Sequence, residues 1–230
     1  MTVHLEEFGL SYFAVPKCAC SSLKNFFFTL TQGMTFAEAK AQGRTPPGNK
    51  AHVHQVYPSR SFADSASRSD PGWTHIAVVR DPVSRVVSCY ANKIQQRNVL
   101  SEPETAERAR AEGLSLTPSI SEFVADIDGY HAVSSSLRHH SMPLSHFLGT
   151  DPSYFARIFA LSELPLFVAM VADHAGRDVP ALPHVQRSGS KQVMNDISEA
   201  DAAAIRDRFA EDIDLYGAWF APAAASPKSA

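Results

Sequence analysis

A chain of 230 residues, 44% of them hydrophobic, is long enough to bury a real core, and one α/β domain over residues 1–220 is expected. Its formal net charge of -3 argues against a general nucleic-acid binder, so an anionic ligand has to be met by a few placed cations. No apolar run approaches the ~18 residues of a membrane span, and MTVHLEEFGL has neither a basic n-region nor an apolar h-region, so a soluble, cytoplasmic protein without a membrane partner is expected.

The first readable element is a strand at about Leu10 to Val15, followed by a turn and a helix at about Ser21 to Thr31. Residues 33–50 hold a short helical piece and a Gly/Pro-rich loop, and AHVHQVYP after them is ambiguous. A second strand at Trp73 to Val79 breaks at Asp81 and Pro82 and leads into a helix from Val83 to about Gln96. Two strand-to-helix units point to a parallel sheet with helices on its faces. Residues 99–118 read as an exposed helix or mobile loop, 119–128 as a short helix, and 131–149 as a His/Ser-rich connection. A third strand in YFARIFAL precedes the helix LPLFVAMVADHAG, a polar loop PALPHVQRSGSKQV and two helices from Ser198 to Phe220. Residues 221–230 are expected to be a disordered tail.

The loop VPKCACSSLK stands where an anion site forms in such sheets, at the end of a strand and the start of a helix. Lys17 supplies a cation and Ser21 and Ser22 supply hydroxyl donors. The spacing G-x-x-x-x-G-K-[ST] of a nucleoside triphosphatase loop is absent. The plainer alternative is that Pro16 ends a strand, Ser21 caps a helix and Lys17 is solvated. Cys18, Cys20 and Cys89 make an odd count, which suits a reducing compartment rather than a disulfide framework, and the C-x-C pair has no second pair with which to hold zinc.

Arg80 ends the second strand, and Ser88 and Asn92 lie one turn apart on the following helix. A guanidinium pairs bidentately with phosphate, so this unit offers a second phosphate grip. Its plainer alternative is a surface network of Arg80 or Arg85 with Asp81.

Together, VPKCACSSLK resembles the 5′-phosphosulfate loop and VVRDPVSRVVSCYANK the 3′-phosphate motif of the sulfotransferases, in the form of the carbohydrate (Golgi-type) branch and its bacterial relatives. LPHVQRSGS and FAEDIDLYGAWF, the latter with a D-x-x-x-Y ending, are weaker parts of the same likeness. The resemblance implies a three-layer P-loop NTPase-like fold, a central parallel sheet flanked by helices. It also implies 3′-phosphoadenosine 5′-phosphosulfate (PAPS) as donor, released as adenosine 3′,5′-bisphosphate. By that carry-over Lys17, Cys18, Ala19, Cys20, Ser21 and Ser22 hold the 5′ end, Arg80 and Ser88 hold the 3′-phosphate, and Arg187 and Ser188 belong to a late loop closing on the nucleotide.

In-line sulfuryl transfer builds charge on the oxygen bridging to the leaving phosphate, and Lys17 is the cation placed to meet it. A sulfuryl group carries less charge than a phosphoryl dianion, so no metal is required. The acceptor hydroxyl needs a base, and histidine titrates in the right range. Among ten histidines, His52 and His54 would share one face of an extended segment, and their spacing resembles the H-x-H of the heparan uronosyl branch. His54 is taken as base and His52 as a substrate-site partner, against the alternative of a strand cap or a stray metal ligand. His140, in the His/Ser-rich connection with His139 and His146, is a further acceptor contact, whereas His75 reads as a packed sheet residue. The acceptor is expected to be a saccharide or another small hydroxylated molecule. A kinase or phosphohydrolase on the same scaffold, and a degenerate binding module, are the alternatives.

Overall fold

The computed structural model describes residues 2–45, 52–183 and 189–220. Along the chain, β1 (Val3–Leu5) and β2 (Leu10–Phe13) precede α1 (Cys20–Gln32), α2 (Phe36–Ala41), α3 (Val53–Val56) and α4 (Phe62–Ala66). Next come β3 (Thr74–Val79), α5 (Pro82–Cys89), a π-helical segment Tyr90–Gln96, α6 (Pro103–Ala111), α7 (Ile120–Ala125), α8 (Ile127–Val133), α9 (Ser135–Ser141) and α10 (Leu144–Leu148). The chain continues through β4 (Arg157–Ala160), α11 (Leu164–Ala175), α12 (Ser190–Asp196), α13 (Glu199–Arg208) and α14 (Ala210–Tyr216). Arg187 and Ser188 and the predicted tail at 221–230 lie outside the described residues.

The described residues pack as two compact units, one within residues 2–80, 147–183 and 215–220, the other within 81–146 and 189–214. The first carries the sheet, ordered β1-β2-β3-β4, with β2, β3 and β4 parallel and β1 antiparallel on β2. The expected α/β architecture of a mostly parallel central sheet flanked by helices is the one observed. β1 escaped the sequence reading because three residues are too short to display an alternation of two.

Alternation within β2 explains how the sheet is covered. Tyr12 points to a face where Phe27 of α1 and Phe167 of α11 pack at ring distances of 5.5 and 5.7 Å. Phe13 points the other way, onto Phe62 of α4, Tyr154 and Phe155. His75 joins this second face as anticipated: it is buried, stacks on Tyr154 at 4.4 Å and hydrogen-bonds Ser69. Gly149 adopts φ +76°, and a Cβ there would sit 2.8 Å from the Phe62 ring, so no other residue fits without moving that ring. Its carbonyl accepts a hydrogen bond of 2.7 Å from the Tyr216 hydroxyl.

The second unit is helical, with Val86, Tyr90, Phe123, Tyr130, Leu137, Ile205 and Phe209 in its core. The segment expected to be one helix from Val83 to Gln96 changes character at Tyr90, where it continues as a π-helix whose Asn92 donates to Gln96 at 3.2 Å. The predicted His/Ser-rich connection at 131–149 is instead largely helical, in the end of α8, α9 and α10. Serine is a poor helix-interior signal but a good cap: Ser134 caps α9 through the Leu137 amide, and Leu137 and Ser141 bury one face. The Arg85–Asp81 surface network is also overturned. Asp81 caps α5 through the Ser84 amide at 3.0 Å, while Arg85 is buried, donating to the Met142 carbonyl at 2.7 Å and facing Asp212 at 3.8 Å.

Candidate active site

The parallel pairing of β2 with β3, Phe13 opposite Ala77, brings the chain leaving β2 and the residue ending β3 to the same edge of the sheet. From that edge emerge the loop through Pro16 to Ala19 on one strand and Arg80 on its neighbour, the position at which ligands of open α/β sheets bind.

The loop achieves without glycine what glycine commonly supplies. Lys17 has φ 68° and Ala19 φ 57°, both left-handed, and Cys18 between them is not. Each such residue costs about 1 to 2 kcal/mol, a strain that persists only where surrounding packing over-determines it. Cys18 and Cys20 provide that packing: both are buried and neither is in a disulfide, pinning the loop against the core. The Cys18 amide bonds back to the Val15 carbonyl at 3.3 Å, and the loop leads into the N-terminus of a 13-residue helix whose N-cap residue, Ala19, makes no side-chain cap bond. Lys17, Ser21 and Ser22 are half-buried.

Beside this loop stands His54. Val53 packs into a small cluster with Phe28, Phe36 and Ala39, which seats α3 on α1. His54 Nε2 lies 2.8 Å from Ser21 Oγ, so the proposed base is hydrogen-bonded to the proposed phosphate loop. The H-x-H pair is not on an extended segment as expected. His52 is the N-cap of α3, accepting from the His54 amide at 3.3 Å, and its ring still stacks on His54 at 4.9 Å.

One partner escaped the sequence reading. The Nζ of Lys24 contacts His54 Nδ1 at 3.1 Å and donates to Ser59 Oγ at 2.8 Å, with the side chain fully buried. Burial lowers its pKa from the ordinary lysine value to about 8, opposed in part by the neighbouring Cys20 thiol. The signal was available: Cys20, Leu23, Lys24, Phe27 and Phe28 follow the i, i+3, i+4, i+7, i+8 spacing of a buried helical stripe, so Lys24 falls among core positions.

The remaining predicted residues divide between the units. Ser88 is buried on α5 in the helical unit. His140 is also there, on α9, with Nδ1 2.7 Å from the Ser136 carbonyl and its ring edge-on to His139. Among the described residues, no cluster of three or more His, Cys, Asp or Glu is placed to hold a metal ion, and no helix is long and apolar enough to cross a membrane.

A family model described as "Sulfotransferase family" matches residues 2–219. The chain belongs to the sulfotransferase family. Searches of curated proteins and of solved structures returned no match. As a sulfotransferase it is an enzyme of sulfuryl transfer, and the family implies a sulfate donor and a hydroxylated acceptor. The match takes in both motifs on which the resemblance rested, including the glycine-free loop whose backbone the left-handed Lys17 and Ala19 shape.

Proposed function

We propose that this sulfotransferase moves the sulfuryl group of PAPS to a hydroxyl of a saccharide or another small hydroxylated acceptor. The observation that carries the reading is the 2.8 Å hydrogen bond from the His54 ring to Ser21, which joins a base to an anion loop. The residues present fit such a donor: the Lys17 cation at the turn into the N-terminus of α1 suits a phosphosulfate end, and Arg80 at the adjacent strand end suits a second phosphate.

PAPS supplies an activated sulfuryl group on a phosphate leaving group. Toward it, the amides and hydroxyls of residues 18–22 orient the 5′ end, and Lys17 meets the charge that grows on the bridging oxygen. That placement is worth several kcal/mol, roughly, in a water-poor site. Arg80, with Ser88 carried over from the resemblance, holds the 3′-phosphate and selects against ATP; Arg187 and Ser188 are assigned to the same end. His54 takes the proton of the acceptor hydroxyl, and His52 and His140 are assigned to the acceptor.

Calorimetric titration tests this reading. Adenosine 3′,5′-bisphosphate should bind tightly without metal and more tightly than ATP with magnesium. A preference for magnesium-ATP would overturn the reading in favour of a kinase or phosphohydrolase. A screen of hydroxylated acceptors with labelled PAPS then identifies the product class.

A further inference from the structure

His54 is bonded on both ring nitrogens, and the two bonds constrain its proton. An ammonium has three donors and no acceptor, so Lys24 in that form donates to Nδ1, and a neutral ring must then carry its proton on Nε2 and donate to Ser21 Oγ. In that state neither nitrogen has a lone pair to offer an acceptor hydroxyl. A neutral Lys24 amine has a lone pair and can accept from Nδ1–H, which leaves Nε2 an acceptor, engaged by the Ser21 hydroxyl until a ligand takes that hydroxyl.

We infer that Lys24 is a positioning residue that sets the tautomer of His54, so that His54 becomes a base only when the Lys24 amine is neutral. The inference rests on the reading of His54 as the base. The geometry argues for it in three ways. Lys24 is fully buried with its amine held between His54 and Ser59, so the two side chains are locked in register. The site desolvates the ammonium, bringing its titration to about 8 and so within reach of neutral pH. Ser21 belongs to both the His54 bond and the anion loop, so a ligand that takes the Ser21 hydroxyl releases Nε2.

Other titratable groups around the pair do not provide the switch. From α1, Cys20 acts on Lys24 in the opposite sense to burial. From α3, His52 stacks on His54 and accepts its backbone amide, and Tyr57 bonds Thr31. Arg60, next to Ser59, is paired with Asp64 at 2.9 Å.

The proton balance closes within the dyad. The acceptor hydroxyl gives its proton to Nε2 while Nδ1–H passes to the neutral Lys24 amine, which becomes an ammonium. The acceptor oxygen's electron pair forms the new O–S bond, and the S–O bond to the 5′-phosphate breaks with its pair on the phosphate oxygen. Lys24 returns its proton to solvent before the next turnover.

Nitrogen-15 NMR of the His54 ring, which needs no turnover, reads the tautomer directly. In the parent protein it should be the Nε2–H form at pH 7 and change as pH rises through about 8. In Lys24→Met that transition at about 8 should vanish, and the rise of kcat with pH should move down by more than about one unit, toward the ordinary imidazole range. Lys24→Arg, which stays charged, should lower kcat by about 100-fold or more across the range. An unchanged ring spectrum and pH profile in Lys24→Met would overturn the inference. His54→Ala separates the two readings: full activity there would refute His54 as base, while the ring spectra of the parent and of Lys24→Met would still report whether Lys24 governs its tautomer.

Discussion

Asp212 accepts the backbone amide of Leu144 at 2.6 Å, and with its other oxygen that of Ser145 at 3.0 Å, so a carboxylate from α14 caps the start of α10. Asp212 is fully buried, and the Arg85 guanidinium faces it at 3.8 Å. The aspartate of the D-x-x-x-Y segment thus acts as a buried cap in the helical unit, and its tyrosine acts in the sheet unit, where Tyr216 donates to the Gly149 carbonyl. Replacing Asp212 with Ala would orphan two amides and leave Arg85 buried beside no carboxylate, an expected loss of about 3 to 5 kcal/mol. Asp212→Asn keeps one acceptor oxygen and should cost less; urea unfolding of the two variants checks the order.

The left-handed loop makes a separate prediction. Ala19→Gly relieves positive-φ strain and should leave stability unchanged or raise it by up to about 1 kcal/mol, with donor affinity retained. Ala19→Val places a β-branched residue where φ is 57° and should lower both the melting temperature and the affinity for adenosine 3′,5′-bisphosphate. Equal behaviour of the two variants would mean that the loop does not need this backbone geometry.

Lys17 and Arg80 should differ in which kinetic constant they move. On its proposed role Lys17 meets charge that develops during reaction, so in Lys17→Ala kcat should fall about 100- to 1000-fold with donor binding less affected. On its proposed role Arg80 contacts the 3′-phosphate before and during reaction, so in Arg80→Ala the donor Kd should rise about 10- to 100-fold. Single-turnover kinetics together with calorimetry separate the two.

His131 predicts an acid limb to stability. Burial, aided by Arg208 and opposed by Asp128, lowers its pKa to about 4, and its Nε2 donates to Ser141 Oγ at 2.7 Å. The folded state binds this proton less readily than the unfolded chain. The contribution is therefore fully present above the unfolded value of about 6.5 and lost as pH falls toward 4. His131→Gln keeps a neutral donor and should flatten the fall in melting temperature between those limits; an unchanged acid limb would place the sensitivity elsewhere.

The elements with strong local signals were legible. β2, β3 and β4 are apolar runs ended by Pro16, Arg80 and the turn after Ala160, and the helices after the first two begin at recognisable breaks. The turn between β2 and α1 was legible as a break but not as a conformation, because nothing in PKCAC declares that Lys17 and Ala19 turn left-handed. The His/Ser segment misled because serine favours loops and helix caps alike, and only packing of Leu137 and Ser141 selects the helix.

What the sequence determined by itself is local: strand and helix periods, the order of the two motifs, and the charges each places at a strand end. Tertiary structure alone decided the partnerships. Lys24 and His54 are separated by 30 positions, and a buried lysine meets an imidazole only because Phe28, Phe36 and Val53 seat α3 on α1. Periodicity assigns Lys24 to a buried face, but the hydrogen bonds that make burial tolerable come from residues distant in the chain, and those bonds give the lysine its proposed role.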